Sequence, residues 1–158
     1  MNYWLLKTEP SCFGLADLQQ RPDQREPWDG VRNYQARNLL RDAMHVGDQA
    51  FLYHSSCKVP AVVAIVAIVR AGYPDPTAFD PQSRHFDPAS DPAAPRWYQV
   101  EIQLLRPLRR PISLTELRQR PELDGLELLR RGSRLSVQPV AERHWHAIMA
   151  LEDAGNAR

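Results

Sequence analysis

The stretch PAVVAIVAIV, at residues 60–69, decides the fold class of this 158-residue chain. Its β-branched residues form a nearly continuous apolar run with little polar alternation. Such a run is typical of a strand buried on both faces, or of the central strand of a barrel. Apolar runs at 3–7, 49–54 and 97–105 predict further strands. The sequence therefore predicts a sheet whose strands are spread along the whole chain.

Short helices are predicted between these strands. Apolar residues at helical spacing predict a helix over 33–44 with Asn33 as its N-cap. A Ser-x-x-Glu capping box predicts another over 113–118. The same criteria predict helices at 15–20 and 141–151. Strands and helices in this mixed order indicate an α+β fold, a small barrel with peripheral helices.

Proline is in excess, with 14 residues in the chain, and it predicts where the elements end. Six of the prolines lie within 73–96, which we predict to be one long surface loop between two core strands. Pro107 and Pro111 predict a turn at 109–110 between them. A short strand is predicted at 134–137.

The charges nearly balance, since 20 Lys and Arg stand against 19 Asp and Glu, and the net charge is +1. This balance excludes a polybasic mode of nucleic-acid binding, although it allows a local basic face. Cys12 and Cys57 lack metal-ligand spacing, and neither a signal-peptide pattern nor a membrane-length apolar run is present. We therefore expect a cytoplasmic protein without cofactor, metal or membrane partner.

Four polar clusters stand directly beside the predicted strands. They are KTEP at 7–10, WDGVRNY at 28–34, YHS at 53–55 and SRLSVQP at 133–139. Polar side chains at strand ends and helix starts are where a rigid scaffold usually presents a site. Taken singly, each cluster has an ordinary structural explanation, such as a core position for Trp28. Their order along the chain is more informative.

Together with residues 35–38 and with Gly-Asp at 47–48, these clusters resemble the signature blocks of the EVE domain family. The resemblance runs from residue 3 to residue 145 in the same order as in the family. It leaves out the proline-rich stretch, to which we assign no function. The resemblance implies a PUA-like fold, which is a small, mostly antiparallel β-barrel with helices around it. It also implies a single domain over 1–152, followed by a short tail at 153–158.

The resemblance further implies a nucleic-acid-binding module that recognises a modified, flipped-out base in an aromatic pocket. EVE domains are regarded as readers of modified bases, and cytosine derivatives in DNA are the leading candidates. The expected partners are DNA or RNA that carries modified bases, or a modified nucleoside. A nuclease or a base-modifying enzyme is a further possible partner.

A flipped base needs an aromatic wall to stack on and a few fixed polar groups along its pairing edge. The residues expected to bind the base are Trp28, Asp29, Val31, Asn33, Tyr34, Tyr53, His54, Ser55 and Glu9. The residues expected to bind flanking phosphates are Lys7, Arg32, Arg37 and Arg134. The residues expected at the pocket rim are Gly30, Ser136 and Gln138. Trp28 ranks first, as the stacking wall.

A hydrolase that acts on a modified nucleoside is the alternative function. Related ASCH-type barrels include amidohydrolases that use lysine, threonine and glutamate, which this chain offers as Lys7, Thr8 and Glu9. Neighbouring residues of a strand point to opposite faces, so Thr8 is expected to face away from the other two. We therefore assign no catalytic residue.

A third alternative is a protein-interaction module that uses the proline-rich loop. Its prolines are irregularly spaced and mixed with aspartate, and they form no recurrent PxxP array. The sequence thus favours a base reader over both alternatives.

Overall fold

The computed structural model describes residues 1–156. The strands are β1 (Tyr3–Thr8), β2 (Arg25–Pro27), β3 (Gln49–His54), β4 (Ala61–Pro74), β5 (Tyr98–Ser113) and β6 (Val137–Val140). The helices are α1 (Leu15–Gln20), α2 (Tyr34–Asn38), α3 (Leu114–Arg118) and α4 (Glu142–Asn156). A π-helical turn at Leu39–Ala43 continues α2. No helix in residues 1–156 is long and apolar enough to cross a membrane.

One sheet contains these six strands in the order β2-β5-β4-β3-β1-β6. Neighbouring strands run antiparallel except β1 and β3, which run parallel. The predicted α+β fold with a mostly antiparallel sheet is therefore confirmed. The sheet is open, however, because β2 and β6 each pair on one side only within the described residues. Both edge strands are short and contain a proline, Pro27 or Pro139, which cannot donate a hydrogen bond to another strand. The predicted closed barrel is not confirmed.

β4 is a central strand, as its apolar run predicts, and both faces of the sheet are covered. On one face, Val66 packs in a cluster with Leu40, which follows α2. On the other face, Ile65 packs in a cluster with Trp145 and Ile148 of α4. Because each face buries apolar side chains, the strand needs no polar alternation.

The predicted helix starts are confirmed by the contacts of their caps. The side chain of Asn33 accepts a hydrogen bond from the backbone N–H of Ala36 at 2.9 Å. The hydroxyl of Ser113 accepts one from the backbone N–H of Glu116 at 3.1 Å. These short polar side chains satisfy N–H groups that the first helical turn leaves without partners.

Two local predictions were wrong, and one strand was missed. β5 continues through Pro107 and Pro111, so residues 109–110 form no turn. The register between β4 and β5 shifts at several points, which makes the ladder tolerant of residues without an N–H. The strand predicted at 134–137 begins only at Val137, and β2 was not predicted because three residues carry too little pattern.

Asp48, in the turn before β3, joins this turn to the start of β1. Its carboxylate accepts hydrogen bonds from the backbone N–H groups of Asn2 and His45 and from the indole N–H of Trp4, at 2.9–3.0 Å. Burial alone raises the pKa of a carboxyl, but these hydrogen bonds together outweigh burial, and the pKa of Asp48 is lowered. The folded state therefore favours the ionised form. This stabilisation is lost as the pH falls through the lowered pKa.

We expect Asp48→Ala to lower the free energy of unfolding by roughly 3 kcal/mol at pH 7, because it leaves several buried donors without an acceptor. Urea denaturation of both proteins measures the difference. The difference should narrow below about pH 4, where wild-type Asp48 also loses its charge. Asp42→Ala is the control, because its side chain is exposed, and it should leave stability nearly unchanged. Equal stability of the Asp48 variant and the wild type would contradict this role.

Candidate functional site

A cleft of about 430 Å³ opens at the edge of the sheet where β1 ends. The backbone N–H of Lys7 donates to the carbonyl of Ser136 at 2.9 Å, which brings the residue before β6 to this edge. The backbone N–H of Trp28 donates to the carbonyl of Val100 in β5 at 2.7 Å, which holds the loop after β2. Three segments that are distant in sequence therefore meet around one cavity.

Half of the residues predicted from the sequence line this cleft. They are Lys7, Glu9, Trp28, Asp29, Gly30, Val31, Arg32 and Ser136. The cleft also has lining residues that were not among those expected to bind a base or a phosphate. These are Thr8, Cys12, Phe13, Glu26, Pro27, Arg84 and His85.

Trp28 forms the aromatic wall of the cleft and is also part of the hydrophobic core. Only 8% of the residue is exposed, and it packs in the same cluster as Leu18 and Val31. The ring of Phe13 meets it edge to face, with centroids 6.4 Å apart and planes at 82°. The guanidinium of Arg21 lies over the Phe13 ring at 5.2 Å. The wall is therefore held rigidly from behind.

Asp75 ties the loop that carries the cleft residues to the proline-rich segment, residues 73–96. It is fully buried, and its carboxylate accepts hydrogen bonds from the Gly30 N–H at 2.8 Å and from the Arg32 guanidinium at 3.0 Å. The Thr77 backbone N–H and hydroxyl donate to its other oxygen at 2.9 and 2.6 Å. Burial raises the pKa of this carboxyl, but the combined hydrogen bonds outweigh burial and lower it. Asp75 therefore stays ionised in the fold.

Arg32 lines the cleft, but its guanidinium is bonded to other groups of the protein and does not project into solvent. Its guanidinium donates to Asp75, to the Thr77 hydroxyl at 3.3 Å, and to the backbone carbonyls of Val31 and His85. All three guanidinium nitrogens are engaged, so the phosphate role predicted for Arg32 has no donor left over. The residue instead anchors the proline-rich segment.

Gly30 lets the proline-rich segment close against the cleft. It has a φ of +76°, and a Cβ atom there would lie 2.6 Å from the His85 ring. Only glycine combines this backbone conformation with such a close approach. His85 and Arg84 line the cleft as a result.

Asp29 differs from Asp75 in its electrostatics, although both are carboxylates near the same loop. Partial burial of the carboxyl raises the pKa of Asp29, and the negative charge of Asp75 raises it further. His85 and Arg32 act in the opposite direction but do not cancel this effect. Asp29 is therefore a carboxylate that a hydrogen-bond donor in the cleft would stabilise.

The structure places Asn33, Tyr34 and Arg37 on α2, outside the cleft lining. Asn33 caps the helix, and the ring of Tyr34 stacks on Trp97 with centroids 4.8 Å apart. The Arg37 guanidinium donates to the backbone carbonyl of Arg96 at 2.7 Å. These side chains hold the far end of the proline-rich segment.

The structure places Tyr53, His54 and Ser55 at the end of β3, where they do not line the cleft. Tyr53 is buried in the core on the opposite face of the sheet, and burial raises the pKa of its hydroxyl. His54 accepts a hydrogen bond through Nε2 from the Leu15 N–H at 3.1 Å, and burial lowers its pKa, in keeping with a neutral acceptor. Ser55 donates through both its backbone N–H and its hydroxyl to the carbonyl of Thr8. Their contacts hold neighbouring segments together.

Gln138 and Arg134 also lie away from the cleft lining. Gln138 is buried, and its side chain donates to the carbonyl of Leu135 at 2.8 Å. Arg134 is exposed. The described residues contain no group of three or more His, Cys, Asp or Glu side chains that could hold a metal ion.

The residues missed by sequence reasoning lie close to the predicted ones or in the proline-rich segment. Phe13 comes three residues after the KTEP cluster, in the loop that leaves β1. Arg84 and His85 interrupt a run otherwise rich in proline and aspartate, which is the one local signal for their role. Their position depends on Asp75 and Arg32, which no local pattern reveals.

Comparison with known proteins shows which family has this fold. The family model of the EVE domain matches residues 2–151. This chain belongs to the EVE domain family. The PUA-like fold implied by the sequence resemblance is thereby confirmed, apart from closure of the barrel.

This EVE domain is similar to thymocyte nuclear protein 1 of Rattus norvegicus, with 42% identity over 97% of the chain and 74% of the relative. A crystal structure of a Pseudomonas syringae protein is 45% identical, with a TM-score of 0.89, covering 95% of this chain and 99% of that one. Human THYN1 has been solved in complex with DNA that contains 5-methylcytosine. It is 38% identical, with a TM-score of 0.92, and the match covers 96% of this chain and 98% of that one.

A Zymomonas mobilis ASCH protein shares the fold at a TM-score of 0.56 over 96% of this EVE domain and 99% of that chain. Its sequence identity is 12%. At that identity the likeness extends to the fold and no further.

We expect Asp75→Asn to loosen the cleft of this EVE domain, because it removes the charge that Arg32 and the Gly30 N–H share. Hydrogen bonds to a charged group contribute about 1.5–3 kcal/mol, so the Gly30 amide should exchange its hydrogen at least about tenfold faster. Hydrogen exchange followed by NMR measures this rate. The control Asp91→Asn lies in the same segment and accepts only from the Ala93 N–H at an exposed position, so Gly30 exchange should not change. Equal exchange rates in the two variants would show that Asp75 does not hold the loop.

Proposed function

We propose that this EVE domain binds a modified cytosine of DNA, with the base held in the cleft beside Trp28. The observation that carries the proposal is the human THYN1 structure, which contains 5-methylcytosine DNA and shares this fold over nearly the whole chain. The cleft of this chain has a volume suited to a single base and its sugar. It also has the aromatic wall and the convergent polar groups that a flipped base requires.

The stacking surface in this proposal is Trp28, with Phe13 closing the apolar corner behind it. Stacking of a base on an aromatic ring contributes about 1–3 kcal/mol. Val31 is buried beside them and completes an apolar side for the ring and any methyl group on it. This side of the cleft supplies affinity without reading the pairing edge.

The pairing edge of cytosine carries an exocyclic amine and a ring carbonyl, which need an acceptor and a donor. The carboxylates of Asp29 and Glu9 are the acceptors that line the cleft. Donors in the cleft include Lys7 and Ser136. Burial lowers the pKa of Lys7 more than the negative charge of Glu127 raises it. Because Asp29 and Glu9 offer carboxylate acceptors, the cleft matches a base with an amino group better than a base that carries only carbonyls.

The free energies of base extrusion, stacking and methyl burial limit the affinity and the selectivity of this cleft. Extruding a base from a duplex costs a few kcal/mol, which is similar to what stacking returns. Binding should therefore favour single strands and unpaired bases. Burial of one methyl group contributes about 0.8 kcal/mol, so 5-methylcytosine should be preferred over cytosine by only about fourfold.

For the hydrolase alternative, the expectation that Thr8 faces away from Lys7 and Glu9 was wrong, because all three residues line the cleft. The hydroxyl of Thr8 donates to the carbonyl of Phe13 at 2.6 Å, so it is engaged in the loop after β1. RNA as a ligand, a nuclease or base-modifying partner and a cytoplasmic location stay predictions from the sequence.

We expect Trp28→Leu to weaken binding of a single-stranded oligonucleotide carrying one 5-methylcytosine by roughly 10- to 100-fold, because it removes the stacking surface. Trp28→Phe keeps an aromatic ring and should retain most of the affinity. Fluorescence anisotropy with a labelled oligonucleotide measures the affinities. Trp145→Leu is the control, because Trp145 is equally buried but packs on the opposite face of the sheet. If both leucine variants lose affinity equally while folded, the wall is not Trp28.

We expect the affinity for 5-methylcytosine to fall as the pH is lowered through the raised pKa of Asp29, because a protonated carboxyl no longer offers both oxygens to the amine. Asp29→Asn should bind more weakly at pH 7 and should lose this component of the pH dependence. Isothermal titration between about pH 4 and pH 7.5 compares the two proteins. Protonation of the base itself affects both proteins alike, so the difference between the curves reports on Asp29. Parallel curves would exclude Asp29 as the acceptor.

A further inference from the structure

A second groove, of about 540 Å³, lies beside the cleft at the same edge of the sheet. It runs between the end of β3, the start of α3 and the segment before β6. Lys7 lines both the cleft and this groove, so the two cavities adjoin at that side chain. We call it the basic groove, and its cationic lining residues are Lys7, Arg118, Arg130 and Arg131.

Most of the cations in the basic groove have no carboxylate partner in the part of the chain that the structure describes. None of its described lining residues is acidic. Among residues 1–156, the side chains of Lys7, Arg118 and Arg131 have no carboxylate within 4.0 Å, while Arg130 reaches Glu127 at 3.4 Å from a largely exposed position. Several arginines outside the groove are paired with a carboxylate, as Arg106 is with Glu152. The basic groove therefore brings together three cations that no described carboxylate within 4.0 Å neutralises.

Hydrogen-bond donors other than the cations also line the basic groove. The hydroxyl oxygen of Ser133 is buried and makes no hydrogen bond within the described chain. A buried polar atom without a partner is uncommon in folded proteins and calls for an explanation. Ser56 lines the same groove, and so does Gly132, whose position has open space around it. Guanidinium groups, hydroxyls and accessible backbone N–H groups are the groups with which proteins bind phosphate.

We propose that the basic groove binds the phosphates of the DNA strand whose modified base occupies the cleft. This inference rests on the proposed function of the cleft and extends it from a base to a strand. Arg118 and Arg131 contact backbone phosphates, and Lys7 contacts the phosphate at the junction of the two cavities. The strand leaves the cleft along the groove in one direction, so the domain recognises a nucleotide together with its neighbours on one side.

Counterion release makes this proposal quantitative. Each phosphate neutralised on a single strand contributes about 0.7 to the slope of log affinity against log salt concentration. Three cations therefore give a slope of about −2, which is shallow and consistent with a net charge of +1. A free nucleoside has no phosphate, so its affinity should be nearly independent of salt.

The test compares two ligands, 5-methyl-2′-deoxycytidine and a single-stranded nonamer with one 5-methylcytosine, across a series of salt concentrations. Arg118→Gln and Arg131→Gln should each reduce the oligonucleotide slope by about 0.7, while nucleoside affinity stays at the wild-type value. Arg109→Gln is the matched control, because it removes the same charge from an exposed pair with Asp153 that lines neither cavity. Thermal denaturation verifies that each variant folds.

The outcomes separate the two proposals. Wild-type slopes for both Arg118 and Arg131 variants, with intact nucleoside binding, would overturn the basic groove and leave the cleft standing. An equal change in the Arg109 variant would likewise overturn it, because the effect would then come from total charge. Absence of nucleoside binding by the wild type would instead overturn the proposed function. A reduced slope confined to the two groove variants supports the strand path.

Discussion

The buried carboxylate of Asp75 is the interaction on which the cleft depends. A buried charge is costly unless donors surround it, and Asp75 obtains them from two distant parts of the chain. Gly30 and Arg32 belong to the loop after β2, whereas Thr77 belongs to the proline-rich segment. Satisfying one carboxylate therefore joins two segments that are distant in sequence, and the hydrogen bonds from Arg32 to the His85 carbonyl add to this contact. The proline-rich segment becomes part of the cleft through this contact, although its own composition suggests an inert surface loop.

The same contact explains why the pKa of Asp29 is raised, whereas the pKa of Asp75 is lowered. Asp75 has taken the Gly30 N–H and the Arg32 guanidinium, which are the strongest donors near the loop. Asp29 therefore lies in a partly buried position beside another negative charge, and its pKa rises. A ligand whose amine reaches the Asp29 carboxylate supplies a hydrogen-bond donor in place of those that are bonded to Asp75. The Gly30 N–H and the Arg32 guanidinium therefore stabilise the fold, and the Asp29 carboxylate is left as an acceptor for the ligand.

The edge of the sheet where β1 ends organises both cavities. β1 and β3 run parallel and end together, and β6 begins beside them in the opposite direction. Loops from three strands therefore leave the sheet at one place, with Lys7 between the cavities. The cleft on one side of Lys7 contains an aromatic wall and side chains of both charges, while the basic groove on the other side is lined by cations and, among the described residues, by no acidic residue. A net charge of +1 gives no indication of this groove, because it is a sum over the whole chain.

The amino-acid sequence was sufficient to predict the α+β class, the central strand, the caps of α2 and α3, the family, and eight of the fifteen residues that line the cleft. These features depend on local signals, namely apolar periodicity, short polar side chains at helix starts and contiguous blocks such as residues 28–32. The open sheet, the anchoring role of Arg32 and the positions of Tyr53 and His54 away from the cleft became evident only from the folded chain. The same is true of Arg84 and His85, which reach the cleft from the proline-rich segment. Each of these depends on a partner more than thirty residues away or on the opposite face of a sheet, and no local pattern encodes such a partner.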